Sequence, residues 1–130
     1  MISAKEVQGD KNALQTVIDG KRPIGYISTI YSEIDDDYLW NKINENNLKI
    51  LKVKEGIYIV YIESAQNDAK ELLEIAKKYG GSLHWNATES DTRRIGELLS
   101  YCTDDINEHI LRIREGLHHP LNVRLFDKNK

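Results

Sequence analysis

At 130 residues, with 40% hydrophobic and 30% charged side chains, the chain has the size and balance of one globular domain, which excludes a disordered segment. That length buries roughly two thirds of the unfolded surface, so folding needs no disulfide or metal. The formal net charge of −3 directs the chain neither to nucleic acid nor to an anionic membrane, and the single cysteine, Cys102, excludes an intrachain disulfide.

Residues 1–10 carry Lys5, Glu6 and Asp10 and lack the apolar stretch of a signal peptide. The first patterned segment is 10–19, where Ala13, Leu14, Val17 and Ile18 recur at helical spacing behind Asp10 as a cap. Gly20 stops that helix, and Pro23 keeps Arg22 extended. Residues 24–31 are rich in β-branched and aromatic side chains and read as a strand. Asp35, Asp36 and Asp37 open a helix, because carboxylates in a first turn favour the positive end of the helix dipole. Ile34, Tyr38, Leu39 and Ile43 are its apolar stripe, and Asn46-Asn47 ends it.

Residues 48–53 form a strand containing Lys49 and Lys52, and Lys54-Glu55-Gly56 is a hairpin turn. The next strand, 57–62, is apolar on both faces and should be interior. It is also the longest nearly apolar run, far too short to span a bilayer. The lysine-bearing partner should be an edge, since lysine discourages edge-to-edge pairing. Residues 66–79 are the clearest helix, with Ala69, Leu72, Leu73, Ala76 and Tyr79 on one stripe and Gly80-Gly81 as terminator. Residues 82–87 alternate as a strand, with Leu83, Trp85 and Ala87 on one face. Thr88 then caps a helix with the stripe Ile95, Leu98, Leu99 and Cys102, and Asp91 is placed to reach back to the cap. Thr103 caps a last helix with the stripe Ile106, Ile110, Ile113 and Leu117. Residues 121–126 read as a short strand or a docked tail.

The order strand, helix, strand, strand, helix, strand is that of a ferredoxin-like β-α-β-β-α-β core. The expected fold is therefore α+β: a single domain over 1–130, with its core at about 24–87. An N-terminal helix and two added C-terminal helices, at about 88–117, complete it. A ferredoxin-like sheet places its two helices on one face, and the additions are expected to cover the other.

Candidate chemistry is sparse. His84, His109, His118 and His119 lack metal-ligand spacing. Cys102 completes an apolar stripe and reads as an inert core thiol. The run Glu33, Asp35, Asp36, Asp37 lacks the glycine of a calcium loop, and helix capping explains three of the four. No phosphate loop, nucleophile elbow or HExxH helix is present. No catalytic residue, metal or cofactor is therefore expected.

Binding residues are the alternative. Trp40 lies beside the stripe of its helix, and an exposed tryptophan marks an interface. With Asp36 and Asp37 it makes helix 35–46 the preferred contact surface. Tyr26 and Tyr58 lie on strands 1 and 3, where RNA-recognition modules of the same element order stack bases. The stretch 56–61 does not match the glycine-aromatic pattern of those modules. Arg93 and Arg94 oppose the helix dipole early in their helix, a placement that can serve a partner carboxylate or phosphate.

The sequence thus points to a cytoplasmic, non-catalytic binding or regulatory module, not an enzyme. It would act through a protein partner or through self-association as a homodimer, and not on membranes. RNA or single-stranded nucleic-acid binding through the sheet tyrosines is a second reading, and a small enzyme using His84 a third.

Overall fold

Three strands, β1 Ile24–Ser28, β2 Lys49–Lys54 and β3 Ile57–Tyr61, form an antiparallel sheet in the order β1-β3-β2. The computed structural model describes residues 2–81 and 87–114. Five helices accompany the sheet: α1 Asp10–Ile18, α2 Asp36–Glu45, α3 Gln66–Lys78, α4 Glu89–Leu98 and α5 Thr103–Arg114. The element order and the α+β class follow the hydrophobic periodicity. The all-apolar strand β3 is central, and β2 is an edge with exposed Lys49, Lys52 and Lys54.

The period-two alternation of β1 and β3 divides the core in two. Ile24, Ile59 and Tyr61 pack with Ala69, Leu72 and Ala76 of α3 and with Ile95 and Leu98 of α4. Ile27, Tyr58 and Val60 face the other way, onto Leu14 and Val17 of α1 and Leu39 and Ile43 of α2. Leu14, Ile24, Ile27, Leu39, Ile59 and Leu72 are each fully buried, worth about 2 kcal/mol apiece in transfer free energy. Gly25 allows α1 its close approach, since a Cβ there would lie 2.9 Å from Val17 Cγ2. Gly96 does the same for α5, where a Cβ would meet Ile106 Cγ1 at 2.6 Å.

This arrangement corrects the ferredoxin-like expectation. A ferredoxin-like unit puts both crossover helices on one face, whereas α2 and α3 lie on opposite faces. Because β3 is apolar on both sides, both faces need cover, and α1 with α2 supply it on one and α3 with α4 on the other. The second face is covered by α1 and α2, not by the C-terminal helices. Instead α4 widens the α3 layer, and α5 packs on α4. The fourth strand expected at 82–87 falls almost wholly outside the described residues, as do Trp85 and the tail at 121–126. Strand β1 stops at Ser28, short of the expected residue 31, and Tyr31 beyond it adopts a left-handed conformation, φ 53°.

Candidate functional site

Just past the end of β1, the chain meets the start of α2 in a notch of about 330 Å³ lined by Thr29, Ile30, Asp35, Asp36, Asp37, Glu55 and Gly56. Asp35 is the N-cap of α2, its side chain accepting from the Tyr38 amide at 2.8 Å. Asp36 Oδ1 accepts from Thr29 Oγ1 at 2.7 Å and from the Tyr58 hydroxyl at 3.4 Å. Burial first, and then the Asp36 charge, hold the Tyr58 phenol above its usual pKa. Lys52 pairs with Glu55 at 2.8 Å beside the notch. Gly56, with φ 78°, is demanded here, because Ile30 Cγ1 would lie 2.2 Å from any Cβ. Around the notch Ile30, Tyr31 and Trp40 are exposed. Asp36 and Trp40 are four residues apart and so share one face of α2.

Three sequence-derived residues, Asp36, Asp37 and Tyr58, are thus brought together, with Trp40 one turn along. Tyr26 is not among them. Its hydroxyl donates to Gly81 O at 2.7 Å, and burial pushes its pKa up to about 12. Arg93 and Arg94 lie on the other layer, on an open groove of about 870 Å³ between α3 and α4. Arg94 forks onto Glu71 at 2.6 and 2.8 Å, and Arg93 donates to Asn107 of α5 at 2.9 Å. Asp91 reaches Thr88 through its side chain. Its carboxylate accepts from Lys78 and the Tyr79 hydroxyl, while Thr88 caps α4.

The stacking reading is corrected as well. Tyr58 and Tyr61 are 5% and 6% exposed, and both sheet faces are covered, so no strand tyrosine offers its ring to a base. His84, His118 and His119 lie outside the described residues, and His109 is half-buried on α5. Among the described residues, no three acidic, histidine or cysteine side chains converge as a metal site.

At the opposite end of β1 lies a cluster that sequence reasoning passed over. Arg22 is 4% exposed. Its N–H groups donate to protein oxygens, Nε to Thr16 Oγ1 at 2.8 Å, Nη1 to Leu99 O at 3.2 Å and Nη2 to Ala13 O at 3.1 Å, and Tyr101 accepts from it as well. The guanidinium carbon lies 6.0 Å from the centre of the Tyr101 ring. Burial lowers the pKa of this group, and Tyr101 opposes the shift. No salt bridge to a carboxylate accompanies the buried charge among the described residues. A buried cation without a counter-charge is costly and marks a functional candidate. A second mark is Ser100, beside Tyr101, held at φ 64°. In the sequence, Arg22 reads only as the residue before a proline. Nothing in the local pattern says that α1 and the α4–α5 junction close over it.

Among the described residues, no helix is long and apolar enough to cross a membrane. No family model and no curated protein matches the chain. One similar solved structure is the crystal structure of the bacterial cysteine methyltransferase effector NleE, with a TM-score of 0.61 at 22% sequence identity. The match covers 89% of this chain and 66% of that one, so the chain spans slightly less than two thirds of its length. The fold likeness to a methyltransferase stands against two expectations, that the chain is a non-catalytic module and that it is not an enzyme.

Proposed function

We propose that the chain is an enzyme that transfers a methyl group to a cysteine thiol. The observation that carries this reading is the likeness of fold to a cysteine methyltransferase effector over 89% of the chain. In such a reaction the thiol sulfur gains the methyl carbon as the donor's own carbon–sulfur bond breaks, and the thiol proton passes to solvent. A sulfonium donor such as S-adenosylmethionine supplies the activated methyl group and carries an amino-acid carboxylate. Arg22 fits that carboxylate: it is a buried cation that no salt bridge among the described residues neutralises. Tyr101 borders the guanidinium and would orient the same end of the donor.

The partner in this reading is the protein that bears the acceptor thiol. Trp40, Asp36 and Asp37, with Tyr31, are its proposed contact surface, exposed and acidic at the far end of β1. Tyr26, Arg93 and Arg94 are already engaged within the chain and are left out. A free acceptor thiol implies a reducing, cytoplasmic setting.

The test is calorimetric titration of the chain with S-adenosylmethionine, followed by labelled methyl transfer to a reduced cysteine-bearing protein acceptor. Saturable binding and label on sulfur are expected. Absence of heat at millimolar donor, or label confined to nitrogen or oxygen, overturns the reading.

A further inference from the structure

Residues 2–4 are fastened on the residues that flank Tyr101 and on Asp105, whereas Glu6 and Val7 after them are held by Lys21 and by the α1 side of the core. Ile2 is 3% exposed, although Ala4, Lys5 and Glu6 after it are exposed. Its N–H donates to Ser100 O at 2.9 Å, and its carbonyl accepts from the Cys102 N–H at 2.9 Å. These two bonds make an isolated parallel bridge between Ile2 and Tyr101. The Ala4 N–H then donates to Asp105 Oδ2 at 2.8 Å. That bond first, and the Cys102 thiol second, hold the Asp105 carboxyl below its usual range. After Ala4 the chain turns away through a capping box between Ser3 and Glu6.

The clasped residues are conformationally expensive. Ser100 sits in the left-handed region that glycine favours, and the Tyr101 N–H donates to Gly96 O at 3.0 Å to close the end of α4. The same short stretch places the Leu99 carbonyl and the Tyr101 ring on Arg22. The strap therefore acts on Arg22 without touching it.

We infer that residues 2–4 are a latch on the Arg22 site: docked, they hold Leu99 and Tyr101 over the guanidinium, and released, they uncover it. Ile2 and Ala4 are positioning residues, not catalytic ones. The inference deepens the methyl-transfer reading but rests on it only for the identity of the ligand.

Two variants of the full chain test it. Ile2→Asp expels the buried side chain. Ala4→Pro is the finer probe, because it deletes one N–H at the first position of a helical turn, where proline is tolerated. Ser3 before it is already extended, φ −91° and ψ 158°, as a residue preceding proline requires. The readouts are phenylglyoxal labelling of Arg22, located by mass spectrometry, and disulfide exchange at Cys102, the chain's single cysteine. Loss of one charge-assisted bond should raise both rates about fivefold in Ala4→Pro, with the far-ultraviolet unfolding midpoint little changed. Ile2→Asp should raise them further. Unchanged Arg22 labelling in a folded Ala4→Pro overturns the latch, whether or not Ile2→Asp folds. Faster labelling in a chain that binds no S-adenosylmethionine upholds the latch and overturns the methyl-transfer reading instead.

Discussion

The two ends of β1 carry opposite charge under opposite solvation. At one end Arg22 is a buried cation that no carboxylate of the described residues pairs with, held by the Thr16 hydroxyl, the Ala13 and Leu99 carbonyls and an aromatic ring. At the other, roughly 16 Å away at 3.3 Å per residue, carboxylates stand in water and are mostly explained by capping α2. The acidic end is conspicuous in the sequence and inexpensive in the fold. The basic end is inconspicuous in the sequence and costly in the fold. Unexplained cost is the better guide to function, since proteins retain strain and unpaired buried charge where a ligand or a reaction uses them.

The sharpest way to break this contrast is to remove Arg22. Arg22→Ala leaves the Leu99 carbonyl without its guanidinium partner and opens a cavity beside Gly25, so unfolding free energy should fall by about 3–4 kcal/mol in urea titrations. Arg22→Lys keeps the charge but not the planar fork, and should lose about half as much. A loss below about 1 kcal/mol for Arg22→Ala would show that the cost of burying the cation cancels what its hydrogen bonds and packing contribute. Next in size is Gly56→Ala at the acidic end. It combines an unfavourable φ of 78° with a collision against Ile30, and should cost about 2–3 kcal/mol. Adding Ile30→Ala should recover the part due to collision and leave the part due to φ. If nothing is recovered, the turn is constrained by its backbone alone.

These two positions also show what was legible. The helices and the central place of β3 could be read because a 3.6 or 2.0 period and a two-sided apolar run are properties of neighbouring residues. The layer assignment could not, because an interior strand states that both faces are covered without saying which helix covers which. Gly56 was legible as a turn residue, whereas its contact with Ile30 was not. Arg22, Leu99 and Tyr101 are brought together across 77 residues between Arg22 and Leu99, and a local pattern carries no information over that distance. Asp36 and Tyr58 were each singled out for separate reasons. Their meeting depends on β3 pairing with β1, which sets Tyr58 opposite Ile27.

Smaller effects should separate surface from site at the acidic end. Asp36→Asn keeps an acceptor for Thr29 and Tyr58, so stability should change by less than about 1 kcal/mol. Trp40→Ala should change it by about 0.5 kcal/mol or less, since the residue is 44% exposed. In the proposed reading both nevertheless raise the KM for the protein acceptor, by about tenfold for Trp40→Ala, with donor affinity unchanged. An unaltered acceptor KM in both variants removes this end of β1 from recognition.

The smallest effect is a slope. Glu33 is held below the usual carboxylate range chiefly by the Lys11 amide, at the acidic end, and Asp105 by the Ala4 amide, near Arg22. Each has a folded pKa below its unfolded value, so its contribution is complete above the unfolded value of about 4.3 for Glu and 3.9 for Asp. That contribution is lost as pH falls through the depressed folded value. Urea midpoints should therefore decline from pH 5 towards pH 3, with Glu33→Gln and Asp105→Asn each flattening the decline. The two variants should differ in one respect. Asp105→Asn should also speed Cys102 exchange at neutral pH, because Asp105 clasps the strap, whereas Glu33→Gln should leave it unchanged. Equal exchange rates in both would mean that acid loosens the fold uniformly and that the two ends of β1 are not separately held.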